Sequence, residues 1–472
     1  MERKWWTLTA VSVGIFMLLL DITIVNVALP DIQRDLDASL ADLQWVIDAY
    51  ALTLAALLLT AGAVADRIGR RAVFAVGIVV FTAGSFLCGV AGDATFLALS
   101  RAAQGIGGAI MFATSLALLS NAFQGRDRGT AFGIFGAVTG IAVAIGPVLG
   151  GALTSGLSWR WIFFVNIPIG VVALAAVLLR VEESRDPHPR RPDWLGFVTF
   201  SGALGALVFG LIRGNEAGWG STTVVGSLVA AAVLLIAFAI AEHVQREPMF
   251  ELSLLRVPTF VGGLAAAFGI SAGLFAMLTY IVLWIQNVLG YSAVEAGVRF
   301  LPLTLAIFFT AGFAGRLSAQ VPTRWLIGPG FVLIGIGLLL MHGLDAGSDW
   351  TALLPGMIAA GVGAGLVNVP LASTAVAVVE PARAGMASGI NSTFRQVGIA
   401  TGIAGLGAVF ASRVGDHPTA QGVVGGLNDI LLIGALVAFA AAVASFTLIR
   451  QRDYVAHDEA PVLPAEAEAV PA

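Results

Sequence analysis

The sequence predicts an all-α polytopic membrane protein, and three observations carry that reading. Of the 472 residues 58% are hydrophobic and only 11% charged, with a mean hydropathy of +0.91, far from the balance of a soluble domain. Charge-poor runs of roughly 18 to 25 residues, the length a helix needs to cross about 30 Å of hydrocarbon, recur along the chain. The runs are continuous and do not alternate, which excludes a transmembrane β-barrel.

Fourteen spans follow in order, each bounded by basic or tryptophan residues that favour the interface. The first, 7–28, lies between Arg3, Lys4, Trp5 and Trp6 on one side and Arg34 on the other. The second, 43–65, opens at Trp45 and closes before Arg67; the third, 72–91, starts behind Arg70 and Arg71. The fourth, 94–122, and the fifth, 130–154, flank Arg126 and Arg128. The sixth, 162–180, opens behind Trp159, Arg160 and Trp161 and ends on Arg180. The seventh, 194–212, runs from Trp194 to Arg213, and the eighth, 222–243, from behind Trp219 to before Arg246. Behind Arg256 come 259–287, with Trp284 near its end, and 295–317, with Arg316 at its end. The eleventh, 324–342, starts at Arg324 and Trp325, and the twelfth, 350–379, at Trp350. The last two, 385–411 and 428–449, are closed by Arg413 and Arg450.

Charge sets the orientation. With the N-terminus inside, 18 of the 25 basic residues fall in inner segments, Arg185, Arg190, Arg191, Arg383 and Arg452 among them, whereas the outer segments hold Arg34, Arg160, Arg213 and Arg413. Both termini are therefore expected on the cytoplasmic side of a plasma membrane. Arg101, Arg299 and Arg395 are left within or at the edge of spans. The first apolar run is too long for a signal peptide and no cleavage site follows it. The acidic, Pro/Ala-rich segment 451–472 reads as a disordered cytoplasmic tail.

Several function classes are excluded. A single cysteine, Cys88, permits no disulfide framework and reads as inert packing. The sole lysine is Lys4, so no phosphate-binding Gly-x-x-x-x-Gly-Lys-Ser/Thr loop exists and the chain does not hydrolyse ATP itself. His188, His243, His342, His417 and His457 are dispersed without ligand spacing, so no metal site is expected. No enzyme activity and no nucleic-acid partner is expected.

An internal repeat organises the spans. Shifting the chain by 256 residues lays "RGTAFGI" (128–134) over "AGMASGI" (384–390) and "GDATFLALSRAAQGIG" over "SDWTALLPGMIAAGVG", which pairs Asp93 with Asp349, Gly105 with Gly361 and Gly107 with Gly363. Six spans fill less chain than that offset, so the expected layout is a first six-helix bundle (1–181), a cytoplasmic loop with an inserted helix pair and linker (182–258), and a second six-helix bundle (259–450), ahead of the tail.

Three stretches carry further meaning. "GAVADRIGRR", between spans 2 and 3, places Gly62 and Gly69 where a tight turn and close approach are useful, Asp66 where it can accept from Arg70, and Arg67 and Arg71 at the interface. It reads as a latch between two halves, more specific than a positively charged turn requires, with Asp127 in "QGRDRG" as a partner for its arginines. "GPVLGG" in span 5 combines Gly146, Gly150 and Gly151 with Pro147, a smooth face with a built-in kink. "RAAQGIGGA" in span 4 puts Arg101 and Gln104 at the head of a glycine-rich face.

Together with "LDITIVNVALP" in span 1, these stretches resemble the major facilitator superfamily, and within it the fourteen-spanner drug:proton antiporters, along essentially the whole chain. "GAVADRIGRR" is similar to that family's loop 2–3 signature, "LALSRAAQGIGGA" to its helix 4 signature, "GPVLGG" to its antiporter signature and "LDITIVNVALP" to its helix 1 signature. The second half departs from the pattern: "GRLSAQVPTRW" (315–325) resembles a degenerate copy of the loop signature without the aspartate. The resemblance implies two six-helix bundles rocking about a central cavity, acting as a monomer. It implies no cofactor, a proton gradient as the energy source, and small-molecule substrates exchanged across the bilayer. The expected activity is export of lipophilic, often cationic, drugs or toxic compounds. The alternative is an exporter of one endogenous metabolite, such as an antibiotic or lipid, and a third class is a non-transporting receptor or scaffold.

Asp21 is the residue on which this reading turns. It lies about seven residues from the outer end of its span, roughly 10 Å deep at 1.5 Å per residue, and Arg101 lies at a similar depth. A charge in hydrocarbon costs at least about 2.5 to 3.5 kcal/mol, so each needs a partner, water or a proton. Asp21 either carries the coupling proton, with Arg101 as the adjustable positive charge, or pairs helices through Thr23, Asn26 or Gln104. Asp48, about five residues into span 2, is a second acid for the same task, or an interfacial one. Arg395 either lines the cavity or snorkels to the inner surface. Asn368, Gln286 and Asn287 are candidates for substrate contact or for gluing helices.

Overall fold

The structure is a computed structural model that describes residues 2–123, 126–186, 191–318, 320–380, 383–415 and 419–454. The tail from 455 onward, His188, His417, His457 and Arg190 lie outside the described residues, as do the side chains of Arg126 and Arg128. Fourteen apolar helices, and no strand, are present among the described residues. They are α1 (Arg3–Asp35), α2 (Leu40–Ile68), α3 (Arg70–Gly89), α4 (Ala94–Ala122), α5 (Arg126–Gly156), α6 (Trp161–Arg180) and α7 (Trp194–Ala217). Then come α8 (Thr222–Val244), α9 (Pro258–Val288), α10 (Ala293–Leu317), α11 (Arg324–Met341), α12 (Trp350–Ala377), α13 (Ala384–Val414) and α14 (Ala420–Leu448).

Local chemistry explains where these helices begin. Ser39 and Asp42 form a reciprocal capping box at the start of α2, as Ser292 and Glu295 do at α10. The Asp93 carboxylate accepts from the Phe96 amide at 2.8 Å to open α4. Hydropathy places the last span at 428, but α14 starts at Ala420, where the Thr419 hydroxyl accepts from the Gly422 amide at 3.0 Å. Its first turns carry Gln421, Asn428 and Asp429, which a hydropathy window discards and a cap does not.

Hydropathy also fails to rank burial, for a physical reason. The most apolar window, in α8, has a mean hydropathy of 2.8 and is 17% buried, whereas that of α9, at 2.0, is 83% buried. Lipid solvates apolar side chains as well as a protein core does, so an apolar window does not say whether its helix faces lipid or protein. α1 and α9 are the central pair. α9 is interrupted by two π-helical turns, Ser271–Phe275 and Trp284–Val288.

Helices α1 to α6 pack on one another, and so do α9 to α14. Positions related by the 256-residue offset make matching contacts. Gly105 of α4 presses on the Tyr50 backbone of α2, and Gly361 of α12 presses on Leu303 and Ala306 of α10. α7 and α8 pack on each other, and α7 inserts Val208 and Ile212 between Ala51 of α2 and Ala400 and Ala404 of α13. The Asn215 amide of α7 donates to the Ala408 carbonyl of α13 at 2.5 Å. The extra pair thus flanks the seam where the two six-helix groups meet.

An even number of passes puts both described ends on one face, called the terminal face here. There Arg3 pairs with Glu182 at 2.6 Å and Lys4 with Asp127 at 2.8 Å, while the Thr259 hydroxyl donates to Asp453 at 2.8 Å.

Candidate functional site

Asp21 of α1 and Arg101 of α4 form an ion pair at 2.5 Å, both essentially unexposed. The rest of the network satisfies them. Gln104, one turn along α4, donates to the other Asp21 oxygen at 2.8 Å and accepts from Arg101 at 2.6 Å. Asn166 of α6 donates to Asp21 at 3.1 Å, and Arg101 Nε donates to the Val46 carbonyl of α2 at 3.2 Å. The Ser85 hydroxyl of α3 accepts from Gln104 at 2.8 Å, and the Tyr50 ring lies 4.2 Å from the guanidinium carbon. Five helices of the first group therefore meet on one charge pair. Cys88 packs beside it, fully buried, its sulfur 3.7 Å from Gln104 Oε1.

Of the partners expected for Asp21, Gln104 is the one that reaches it. Thr23 bonds back to the carbonyls of Leu19 and Leu20 in its own helix. Asn26 turns the other way and accepts from Thr279 of α9 at 3.1 Å, joining the two groups of helices. Ser85 and Asn166 were not legible as members, because a lone serine or asparagine near an apolar run has no pattern of its own.

Asp48 of α2 has a different environment. It is unexposed, and neither carboxylate oxygen has a hydrogen-bond partner. One turn earlier, the Gln44 amide donates to the Tyr280 hydroxyl of α9 at 3.0 Å, and Tyr280 donates to the Ile403 carbonyl of α13 at 2.6 Å. Asp48 is thus next to a polar tie between α2, α9 and α13.

An apolar cavity lies on the seam. Thr23 and Asn26 of α1, Pro147 of α5, Thr279 of α9, Thr304 of α10 and Ile403 of α13 are among the residues that line it. The face away from the termini is closed by backbone-level contacts. Gly151 of α5 meets the Ala293 carbonyl of α10, Gly297 of α10 meets the Pro147 carbonyl, and Gln286 of α9 donates to the Val27 carbonyl at 2.7 Å. In the same motif, Gly150 abuts the Ile24 backbone of α1 and Gly146 abuts Thr23. "GPVLGG" therefore serves two contacts at once, one within its own group and one across the seam.

The loop between α2 and α3 is built around Gly69, whose φ of 140° suits only glycine. Arg70 Nε donates to Asp66 at 2.7 Å, as expected. Glu183, after α6, caps α3 by accepting from the amides of Arg71 and Ala72 at 3.0 and 3.1 Å, with its carboxylate against the Gly69 Cα. Arg71 also donates to the Leu178 carbonyl at 2.6 Å, and Asp66 accepts through its carbonyl from the Asp186 amide at 3.0 Å. Arg67 is exposed, and Gly62 lies against Ala113 of α4. These contacts run to the segment behind α6 and not to the second group, which differs from a latch spanning both halves. Asp127, expected on the loop arginines, bonds Lys4 instead. Glu183 was missed because it lies more than a hundred residues away in sequence.

In the second group, Arg395 of α13 bonds Asn368 of α12, whose own amide donates to the Ala364 carbonyl at 3.0 Å. Among the described residues no set of side chains is grouped to hold a metal ion.

The family model for the Major Facilitator Superfamily matches residues 11–403. The chain belongs to that superfamily. It is 36% identical to a puromycin resistance protein of Streptomyces alboniger, over 98% of this chain and 95% of that one. It is 38% identical to a tetracenomycin C resistance and export protein of Streptomyces glaucescens, over 88% and 77%. The fold is also similar to that of a bacterial homologue of the human lysosomal transporter Spinster, solved inward-facing and unoccupied, with a TM-score of 0.62 at 17% identity over 96% of this chain and 99% of that one. This major facilitator protein is a multi-pass membrane transporter, not an enzyme.

Proposed function

We propose that the protein is a proton-driven exporter of lipophilic compounds that opens the seam between its two six-helix halves alternately to either side of the plasma membrane, with the terminal face cytoplasmic. The observation that carries the coupling is Asp48. An ionised carboxylate without a partner is costly in an apolar interior. The closed seam therefore takes the acid with its proton, and separation of α2 from α9 and α13 lets water take that proton away. Asp21 steers rather than carries in this state, since Arg101, Gln104 and Asn166 saturate it; it becomes available if α1 and α4 shift apart. Gly146, Pro147, Gly150 and Gly151 let α5 roll against α1 and α10, and the Asp66–Arg70 loop holds the end of the first half rigid. Resistance and export in the names of the relatives support drug export. That one chain contains both halves and the cavity supports a monomer as the working unit.

The test is uptake by proteoliposomes holding the purified protein under an imposed pH difference, run with a panel of cationic, neutral and anionic lipophilic dyes. Flux that follows the gradient, across several dyes, is expected. Flux unchanged when the gradient is collapsed would overturn the coupling. Movement of a single compound alone would point to a narrow metabolite exporter.

A further inference from the structure

Two arginines lie deep in the membrane, and they are treated differently. Arg101 has the Asp21 carboxylate, the Gln104 amide and a carbonyl. Arg395 bonds only the neutral Asn368 oxygen among the described residues, and no carboxylate of those residues pairs with it. The Asn368 amide is tethered to the Ala364 carbonyl, which turns its oxygen towards the guanidinium and holds one side of the fork. The other N–H groups of a guanidinium, which has five, remain for something else. The side chain does not snorkel. Arg395 is eleven residues from the start of α13, roughly 17 Å at 1.5 Å per residue, and Asn368 lies at a comparable depth on α12, roughly 14 Å from its terminal-face end.

Helical spacing aims this cation. Ile399 and Ile403, one and two turns further along α13, both line the central cavity, so positions 395, 399 and 403 form one stripe. Arg395 is only partly buried, as a group bordering a space between helices is. The residue related to Arg395 by the 256-residue offset is Thr139 of α5, which bonds its own Phe135 carbonyl. The charge is therefore no relic of the duplicated scaffold.

A permanently charged guanidinium at that depth is satisfied when an anion reaches it, and its planar fork matches a carboxylate or phosphate. We propose that Arg395, oriented by Asn368, is a subsite for an anionic oxygen group, carboxylate or phosphate, borne by an amphiphile whose apolar body lies against Ile399 and Ile403. This rests on the export reading and deepens it, naming acidic and zwitterionic amphiphiles within the lipophilic substrate class.

The test uses three pyrene probes with the same body and different ends: 1-pyrenebutyrate, 1-pyrenebutanol and a pyrenebutyl trimethylammonium. Binding is measured by tryptophan-to-pyrene energy transfer on full-length protein in nanodiscs of zwitterionic lipid. The carboxylate is expected to bind at least tenfold more tightly than the alcohol to wild type, with that advantage lost in Arg395→Gln and partly kept in Arg395→Lys. Unchanged alcohol binding in Arg395→Gln certifies its fold; if Arg395→Gln loses the alcohol too, Asn368→Ala is used, where a smaller loss of the carboxylate preference is expected. Equal affinity for carboxylate and alcohol in wild type, or a preference that survives both variants, overturns the subsite. Repeating with phosphatidylglycerol in the nanodisc separates the sources: an Arg395-dependent drop in carboxylate affinity assigns the site to lipid phosphate as well. Because binding is read without a gradient, the subsite can stand if proton-driven flux fails, and flux can stand if the carboxylate preference fails.

Discussion

The Tyr280 hydroxyl of α9 receives the Gln44 amide of α2 at 3.0 Å and itself donates to the Ile403 carbonyl of α13 at 2.6 Å. This is a tie between halves made entirely of neutral groups, and it sits over Gly407 of α13. A Cβ at Gly407 would run into both the Gln44 amide and the Tyr280 hydroxyl. Tyr280→Phe weakens the one of these bonds that crosses between halves, worth about 1 kcal/mol net, so the population open away from the terminal face should rise by about fivefold. Gly407→Ala should act in the same direction. Distance measurements between spin labels on α2 and α13 read the shift; identical distributions in wild type and both variants would count against the tie as a gate.

Asp48→Asn should leave stability unchanged or slightly raised, because the amide resembles the acid with its proton on. Gradient-driven export should fall to background, while affinity for a neutral substrate stays within a few fold. Flux against pH in proteoliposomes is the measurement, and a wild-type profile would move the coupling role elsewhere.

Breaking the Asp21–Arg101 pair from one side should cost about 3 to 5 kcal/mol, since the surviving charge stays buried without its partner. Asp21→Asn and Arg101→Gln are each expected to lower the thermal midpoint strongly in detergent, and the double variant to recover part of the loss. Additive losses in that cycle would mean that the two charges are not coupled.

Gly69→Ala should distort the loop, because its φ of 140° is disfavoured once a Cβ is present and Glu183 occupies the space that the Cβ would take. Strain of about 1 to 3 kcal/mol is expected there. Turnover should drop while substrate affinity stays within a few fold, because the loop touches no cavity residue. Asp66→Asn and Glu183→Gln should follow it. Wild-type turnover in all three would remove the loop from the transport cycle.

The orientation is tested with single cysteines at Asp37 and Arg452, both exposed and on opposite faces. A membrane-impermeant maleimide should label the first in intact cells and the second only after permeabilisation.

The fourteen spans and the identity of the charged residues in the membrane were legible in the amino-acid sequence alone. Each of these is written locally: an apolar run of sufficient length has to cross, and a glycine, a cap or an arginine marks its end. The same reading marked Asp21, Asp48, Arg101 and Arg395 as residues that need an explanation, because hydrocarbon tolerates no idle charge. What each of them meets follows from the packing of helices distant in sequence. Asp21 and Arg101 are 80 residues apart, and nothing local says that α1 and α4 turn those faces together while Gln104 and Asn166 close the network. The same holds for Asp48 without a partner, Asp127 on Lys4, Glu183 under Gly69 and α7 at the seam. Partner choice depends on the rotation and depth of each helix. Those are set by small-residue contacts between distant segments, such as Gly105 on Tyr50 or Gly297 on Pro147, and hydropathy is indifferent to them because lipid and protein interior solvate an apolar helix equally well.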